Sequence, residues 1–276
     1  MPAQPRTFRS PLRSDANAGR VALVTGGGTG IGRATALELA RSGAHVVICG
    51  RRAEPLDRTR AEIVAETGAE CLSVGADVRE LEAVDHVVTA ALDRFGHVDV
   101  LVNNAGGQFT APAEDISDKG WRAVHRLGVD AAWTMTRTVA TRSMIPRRDG
   151  LVVFIGFSPR RGIPGYAHAA AARAATATLA QGLALEWSRY GIRTVSVLPG
   201  SIDTEGLAGY GADKVEAWTR AVPLGRLGRP EEVGSLIAFL ASAGGAYVTG
   251  TSILVDGGID AWGLSELPPP VAEPGP

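Results

Sequence analysis

The chain has 276 residues, 45% of them hydrophobic and 21% charged, so it can bury one sizeable core and is too short for more than two domains. A formal net charge of -1 argues against a nucleic-acid surface, because such binding rests on neutralising many phosphates. No apolar run approaches the roughly 20 residues of a spanning helix, so no membrane segment is expected.

Met1 to Gly19 carries Arg6, Arg9 and Arg13 without an apolar core, so it reads as a flexible N-terminal arm and not as a secretory signal. Val21 to Val24 is an apolar run that reads as a buried strand. It ends in Thr25-Gly26-Gly27-Gly28-Thr29-Gly30-Ile31-Gly32, and Arg33 to Ser42 continues at helical spacing through Ala34, Leu37 and Ala40. Strand, glycines and helix in that order predict a dinucleotide cradle. Glycine has no side chain to keep a pyrophosphate away, and the helix start aims unpaired N–H groups and a positive dipole end at it. The alternative is a tight turn with no ligand. On the cradle reading, Thr25, Gly26, Gly28, Thr29, Gly30, Ile31 and Gly32 are candidate cofactor-binding residues.

Further strand-like runs lie at Val46–Cys49, Cys71–Val74, Val98–Val102, Leu151–Ile155, Thr194–Leu198 and Ser252–Val255, with helical patterns at Leu56–Glu66, Glu80–Phe95, Lys119–Arg142, Ala169–Ser188 and Glu231–Leu240. Strands apolar on both faces and joined through helices require a parallel sheet covered on both sides. This predicts an α/β fold: a single doubly wound Rossmann domain with about seven strands. Cys49 and Cys71 fall in these apolar runs, which suits buried thiols in a reducing compartment. The five histidines have no metal-ligand spacing, so no metal site is predicted.

Ligands on such sheets lie at the carboxyl ends of the strands. The second strand ends in Arg51 and Arg52, where NAD's ribose hydroxyls would call for a carboxylate; a guanidinium pair there suits the 2'-phosphate of NADP(H). The competing reading is two loop-capping arginines. The third strand leads into Asp77 and Val78, where Asp77 can accept from the adenine amino group or cap a helix. The fourth leads into Asn103-Asn104-Ala105-Gly106, and the sixth into Pro199, Gly200, Ile202 and Thr204.

The ordered set of the glycine turn, Asp77-Val78, Asn103 to Gly106, Tyr190-Gly191-Ile192-Arg193, Pro199-Gly200 and Val255-Asp256-Gly257-Gly258 resembles the short-chain dehydrogenase/reductase family. The resemblance implies one Rossmann domain over 20–263 with a substrate lid at about 201–227, hydride transfer with a nicotinamide cofactor, and a homotetramer or homodimer, while the Pro-rich composition of 264–276 reads as a disordered tail. It also implies that Asn103, Ala105 and Gly106 line the cofactor and that Thr204 meets the nicotinamide amide.

The family uses a Ser, a Tyr, a Lys and an Asn. Counting back from Tyr190-Gly191-Ile192-Arg193 puts the Tyr position at Ala169 and the Lys position at Arg173. The Ser position falls near Gly156 and, from Trp121 and Val124, the Asn position at Gly128. None of the four residue types is present at these positions. A YxxxK match at Tyr210 and Lys214 lies in the lid segment, away from the long helix.

Asn103 to Phe109, Pro112-Ala113-Glu114, Lys119-Gly120-Trp121 and Gly162-Ile163-Pro164 with His168 and Arg173 resemble peroxisomal-type trans-2-enoyl-CoA reductases and the related 2,4-dienoyl-CoA reductases. That resemblance implies a small-molecule substrate, an unsaturated acyl thioester, reduced with NADPH. Hydride delivery to such a substrate leaves an enolate that needs a hydrogen-bond donor and a proton. The candidate catalytic residues are Tyr166, Ser158, Arg173, His168 and Asp130. Arg173 is suited to clamping the cofactor ribose and not to passing protons. Three functions stay open: this reductase, an NADP(H)-binding pseudoenzyme acting as a partner subunit, and a ketoreductase with Tyr166 or Tyr210 as a relocated acid. The C-terminal Pro274-Gly275-Pro276 is no peroxisomal address, and a cytoplasmic location is expected.

Overall fold

A computed structural model describes residues 8–157 and 163–261. Seven parallel strands, β1 (Val21–Thr25), β2 (His45–Gly50), β3 (Cys71–Gly75), β4 (Val100–Asn103), β5 (Gly150–Ile155), β6 (Ile192–Pro199) and β7 (Ser252–Val255), form one sheet in the order β3-β2-β1-β4-β5-β6-β7. The predicted doubly wound sheet is therefore present. β1 pairs with β2 on one side and β4 on the other, so the chain reverses direction across the sheet between them.

Side-chain alternation explains why these strands read as continuous apolar runs. Val21 and Leu23 face one buried core with Val47, Leu101, Val152 and Phe154. Ala22 and Val24 face a second core with Val46, Ile48, Val102 and Val153. The five inner strands are thus buried on both faces, as parallel strands covered by helices must be, while the edge strands β3 and β7 are half-buried. Helices α1 (Gly30–Arg41) and α2 (Ala53–Thr67) follow β1 and β2, and α3 (Leu81–Phe95) follows β3.

The single helix expected over Lys119–Arg142 is a broken one. It consists of α4 (Asp118–His125), a π turn at Arg126–Asp130, α5 (Ala131–Val139), a second π turn at Ala140–Met144, and a short α6 (Ile145–Arg147). The first π turn holds Gly128, whose position is close to the next long helix, α7 (Ala167–Trp187): a Cβ there would lie 3.5 Å from that of Ala172. The segment expected to form a lid carries a 3-10 turn at Glu205–Tyr210 and helix α8 (Ala212–Arg220). The last helix is α9 (Pro230–Ala241). The expected disordered tail over 264–276 lies outside the described residues.

The flexible N-terminal arm is only partly so among the described residues. Asn17 is 1% exposed, and its Nδ2 donates to Ser42 Oγ at 2.8 Å and to the Ala238 carbonyl at 2.9 Å. It thereby ties the arm to the ends of α1 and α9. These helices pack closely: a Cβ on Gly234 of α9 would lie 2.9 Å from the Ala34 carbonyl oxygen. Between them the buried Glu38 carboxylate accepts from Arg41 Nη1 at 2.7 Å and Ser235 Oγ at 3.1 Å. Asn17→Ala leaves Ser42 and the Ala238 carbonyl short of a buried donor and is expected to lower unfolding free energy by about 1–3 kcal/mol. Denaturant unfolding at unchanged slope checks this; an unchanged midpoint would mean the arm is not docked in solution.

Candidate active site

The reversal between β1 and β4 opens a cleft of about 1070 Å³ at the carboxyl ends of the strands, where chain connections leave on opposite faces of the sheet. A small hydrogen-bonded strap holds its floor. Thr25 Oγ1 accepts from the backbone N–H of Asn104 at 3.0 Å and of Ala105 at 2.9 Å. Asn104 Nδ2 returns a bond to the Thr25 carbonyl at 2.9 Å and a longer one to Gly26 at 3.3 Å. The strap sets the glycine requirement: Gly26 has φ +66°, and a Cβ on Gly32 would sit 2.2 Å from the Gly26 carbonyl oxygen and 2.4 Å from Asn104 Nδ2.

Of the predicted cradle, Gly26, Gly28, Thr29, Gly30 and Ile31 line the cleft. Thr25 and Gly32 lie behind them and shape the turn. Gly30 opens α1, and its N–H points to an anion: Glu205 Oε2 accepts from it at 3.0 Å. Arg51 and Arg52 line the cleft past the end of β2, together with Pro55 and Leu56. With small residues at the turn and an outward N–H at a helix start, the residues present fit a dinucleotide pyrophosphate.

Two predicted contacts are placed differently. Asp77 is not among the cleft-lining residues, although its neighbours Ala76 and Val78 are. Its carboxylate is held by Arg79 through the backbone N–H and the guanidinium. That pairing, with help from Arg51, holds the carboxyl at about 2. Asn103 points inward, where its Nδ2 donates to Thr136 Oγ1 at 2.8 Å, and it is 6% exposed. Asn104 lines the cleft in its place, next to Ala105 and Gly106.

Beside the end of β5, Arg173 of α7 lines the cleft, and its Nη1 donates to the carbonyl of Ile155, the last residue of that strand. A Cβ on Gly106 would lie 2.0 Å from Arg173 Nη2, so the guanidinium fills the space over that glycine. Burial lowers its pKa to about 10, which leaves a fixed cation at neutral pH. Gly156 lines the cleft with the space above it taken: a Cβ there would meet Leu198 Cδ2 at 2.3 Å. Ala169 is buried against Val124 and Tyr166.

Tyr166 reaches the cleft and is 6% exposed. Thr110 Oγ1 donates to its hydroxyl at 2.7 Å. Across the cleft the lid brings Tyr210, Lys214 and Trp218. Lys214 Nζ lies 5.9, 5.3 and 5.4 Å from the ring centroids of Tyr166, Tyr210 and Trp218. Burial, followed by the neighbouring Tyr166 hydroxyl, raises the Tyr210 pKa. Tyr210 and Lys214 lie on the 3-10 turn and α8, away from α7 in the chain, and Lys214 meets Tyr166.

The other candidate acids are not gathered there. His168 is buried outside the cleft lining, tilted on the Phe109 ring at 4.2 Å between centroids, with neither ring nitrogen hydrogen-bonded. Burial and the nearby His125 lower its pKa. Asp130 is exposed at the end of the first π turn and is not among the lining residues. Ser158 lies outside the described residues. Pro199, Gly200, Ile202 and Thr204 line the cleft wall, with Thr204 against Gly30, where a Cβ would approach its Cγ2 to 3.3 Å. No group of three or more His, Cys, Asp or Glu residues that could hold a metal occurs among the described residues. No described helix is long and apolar enough to cross a membrane.

A family model described as enoyl-(acyl carrier protein) reductase matches residues 26–260. The chain belongs to the short-chain dehydrogenase/reductase family. This family member is 37% identical over 245 residues to the Bacillus subtilis protein called "probable 2,4-dienoyl-CoA reductase", covering 87% of this chain and 96% of the relative. It is equally 37% identical over 244 residues to gluconate 5-dehydrogenase of Gluconobacter oxydans, covering 87% and 94%. A solved structure from Beutenbergia cavernae, described as an NAD(P)-dependent gluconate 5-dehydrogenase with NADP bound at low occupancy, superposes with a TM-score of 0.84 at 37% identity, covering 91% of this chain and all of that one.

Gly106 and Arg173 form one packing unit, so Gly106→Ala is expected to cost about 1–3 kcal/mol of stability through overpacking. The same change in an Arg173→Ala background is expected to cost much less. A double-mutant cycle of denaturant midpoints reads this coupling; strictly additive effects would mean the guanidinium lies elsewhere.

Proposed function

We propose that this chain is an NADPH-dependent oxidoreductase that reduces an enoyl, dienoyl or related acyl thioester without the family's Tyr and Lys pair. The observation that carries the reading is Arg173: a desolvated cation that lines the cleft beside Gly106 and the end of β5, where it can hold ribose hydroxyls and offset enolate charge. The relative named for 2,4-dienoyl-CoA reduction supports the substrate class, and the structural neighbour with NADP supports the cofactor. Arg51 and Arg52, which directly follow the last residue of β2 and line the cleft, favour a 2'-phosphate over free ribose hydroxyls.

Bound NADPH supplies the hydride. The chain's own part is to bind the cofactor, orient it, and protonate the enolate. Tyr166 is the proposed proton donor, because it reaches the cleft while its hydroxyl accepts from Thr110 and is left with its own proton to give. A ketoreductase is the second reading, favoured by the meeting of Tyr166, Tyr210 and Lys214 around the cleft. In it Lys214 stabilises a tyrosinate after proton transfer to a ketone. A homo-oligomer is proposed on family membership.

Loss of reduced-nicotinamide absorbance with a 2,4-dienoyl or trans-2-enoyl thioester separates these readings from one another and from a pseudoenzyme. The expected outcome is turnover with the thioester, a preference for NADPH over NADH, and a fall in kcat of about 10²-fold or more in Tyr166→Phe. In the Arg51→Ala, Arg52→Ala double variant the KM for NADPH is expected to rise about ten-fold or more, with that for NADH little changed. Turnover of ketones alone would favour the second reading. NADPH binding without turnover on either class would favour the pseudoenzyme.

A further inference from the structure

The lid carries its own anion into the phosphate cradle. α1 begins at Gly30 with no acidic residue in its first turn and no side-chain cap from Thr29. Its positive end is met instead from 175 residues away: Glu205 Oε2 accepts from the Gly30 N–H at 3.0 Å. Glu205 is the first residue of the 3-10 turn that leads into α8, and it directly follows Thr204, whose methyl group lies against Gly30. Both residues line the same cleft as Gly26, Gly28 and Thr29.

A dinucleotide pyrophosphate and this carboxylate have the same requirements: a backbone N–H at a helix start, and space without a Cβ over it. One N–H cannot serve both in full, and two anions at hydrogen-bond distance from one donor repel each other. We propose that Glu205 is an internal competitor for the pyrophosphate, so that cofactor binding must release the first turn of the lid from α1. The inference rests on the reading of the cleft as a dinucleotide site. It goes beyond that reading by giving the lid a position that depends on whether the cradle is filled. The free protein holds its lid by Glu205 at one end and by Lys214 among Tyr166, Tyr210 and Trp218 at the other. Release of the first anchor leaves the second to keep the lid over the substrate end.

The test is the dissociation constant for NADPH, read by nicotinamide fluorescence without substrate, in the wild type and in Glu205→Ala, Glu205→Gln and Glu205→Asp. Asp213→Asn, in the first turn of α8, serves as a charge control. Removing a charge at a helix terminus is expected to tighten binding about two- to five-fold in Glu205→Ala and Glu205→Gln. Glu205→Asp keeps the charge but is too short to hold the contact, so it is expected to tighten binding as well. Asp213→Asn is expected to bind as the wild type does. Equal or weaker binding in Glu205→Ala would overturn the proposal. So would a pattern in which Glu205→Asp matches the wild type while Asp213→Asn tightens binding, because long-range charge alone would then explain the effect. Failure of every form to bind NADPH or NADH would remove the dinucleotide reading itself, and the proposal with it; binding by wild type with no change in Glu205→Ala would remove the proposal alone.

Discussion

The strap between Thr25 and the Asn104-Ala105 backbone is the contact on which the site depends. It joins the carboxyl ends of β1 and β4, the two strands between which the chain reverses across the sheet. The connections after these strands pass to opposite faces, so a cleft must open above the strap. Because the Gly26 carbonyl and the Asn104 amide, itself held by the Thr25 carbonyl, fill the space behind the glycine turn, Gly32 cannot carry a side chain, and the turn presents bare backbone toward the cleft. The dipole of α1 and the Gly30 N–H, which donates to Glu205 and not within the helix, add a positive end to that backbone. The binding half of the site therefore follows from sheet topology and a few hydrogen bonds.

The reacting half follows from volume. Gly106 leaves room for the Arg173 guanidinium, and Leu198 takes the room that a side chain at Gly156 would need. Arg173 and Leu198 thus fill the volume beside these two glycines. The outcome is a cleft with a permanent positive charge and one buried tyrosine reaching it. In the proposed reaction that charge would offset negative charge building on a substrate oxygen.

Much of this was legible in the sequence, for a physical reason. Strands buried on both faces are apolar at every position, so their order and ends stand out, and the order of motifs at those ends points to the family. The residues misjudged fall where a one-residue distinction matters. Asn103 and Asn104 are the same type on successive positions, yet strand alternation turns Asn103 into the core toward Thr136 and leaves Asn104 for the cleft. Asp77 reads as free in sequence but has Arg79 two residues on, close enough to occupy both oxygens. The π turns that break the long helix leave its apolar period nearly unchanged, and so escape a period-based reading. Contacts such as Thr110 with Tyr166, Lys214 with three aromatic rings, and Glu205 with Gly30 join segments far apart in the chain. No local pattern encodes them, and Glu205 gave only its place after Thr204 as a signal.

On the proposed function, the cleft above the strap seats a dinucleotide with its pyrophosphate on the start of α1. A crystal structure of the protein grown with NADPH tests it most directly. The account predicts density for a pyrophosphate oxygen within hydrogen-bond distance of the Gly30 N–H, the 2'-phosphate against Arg51 and Arg52, and the Glu205 carboxylate displaced. A cleft that stays empty at saturating NADPH, or a dinucleotide bound elsewhere on the molecule, would contradict it.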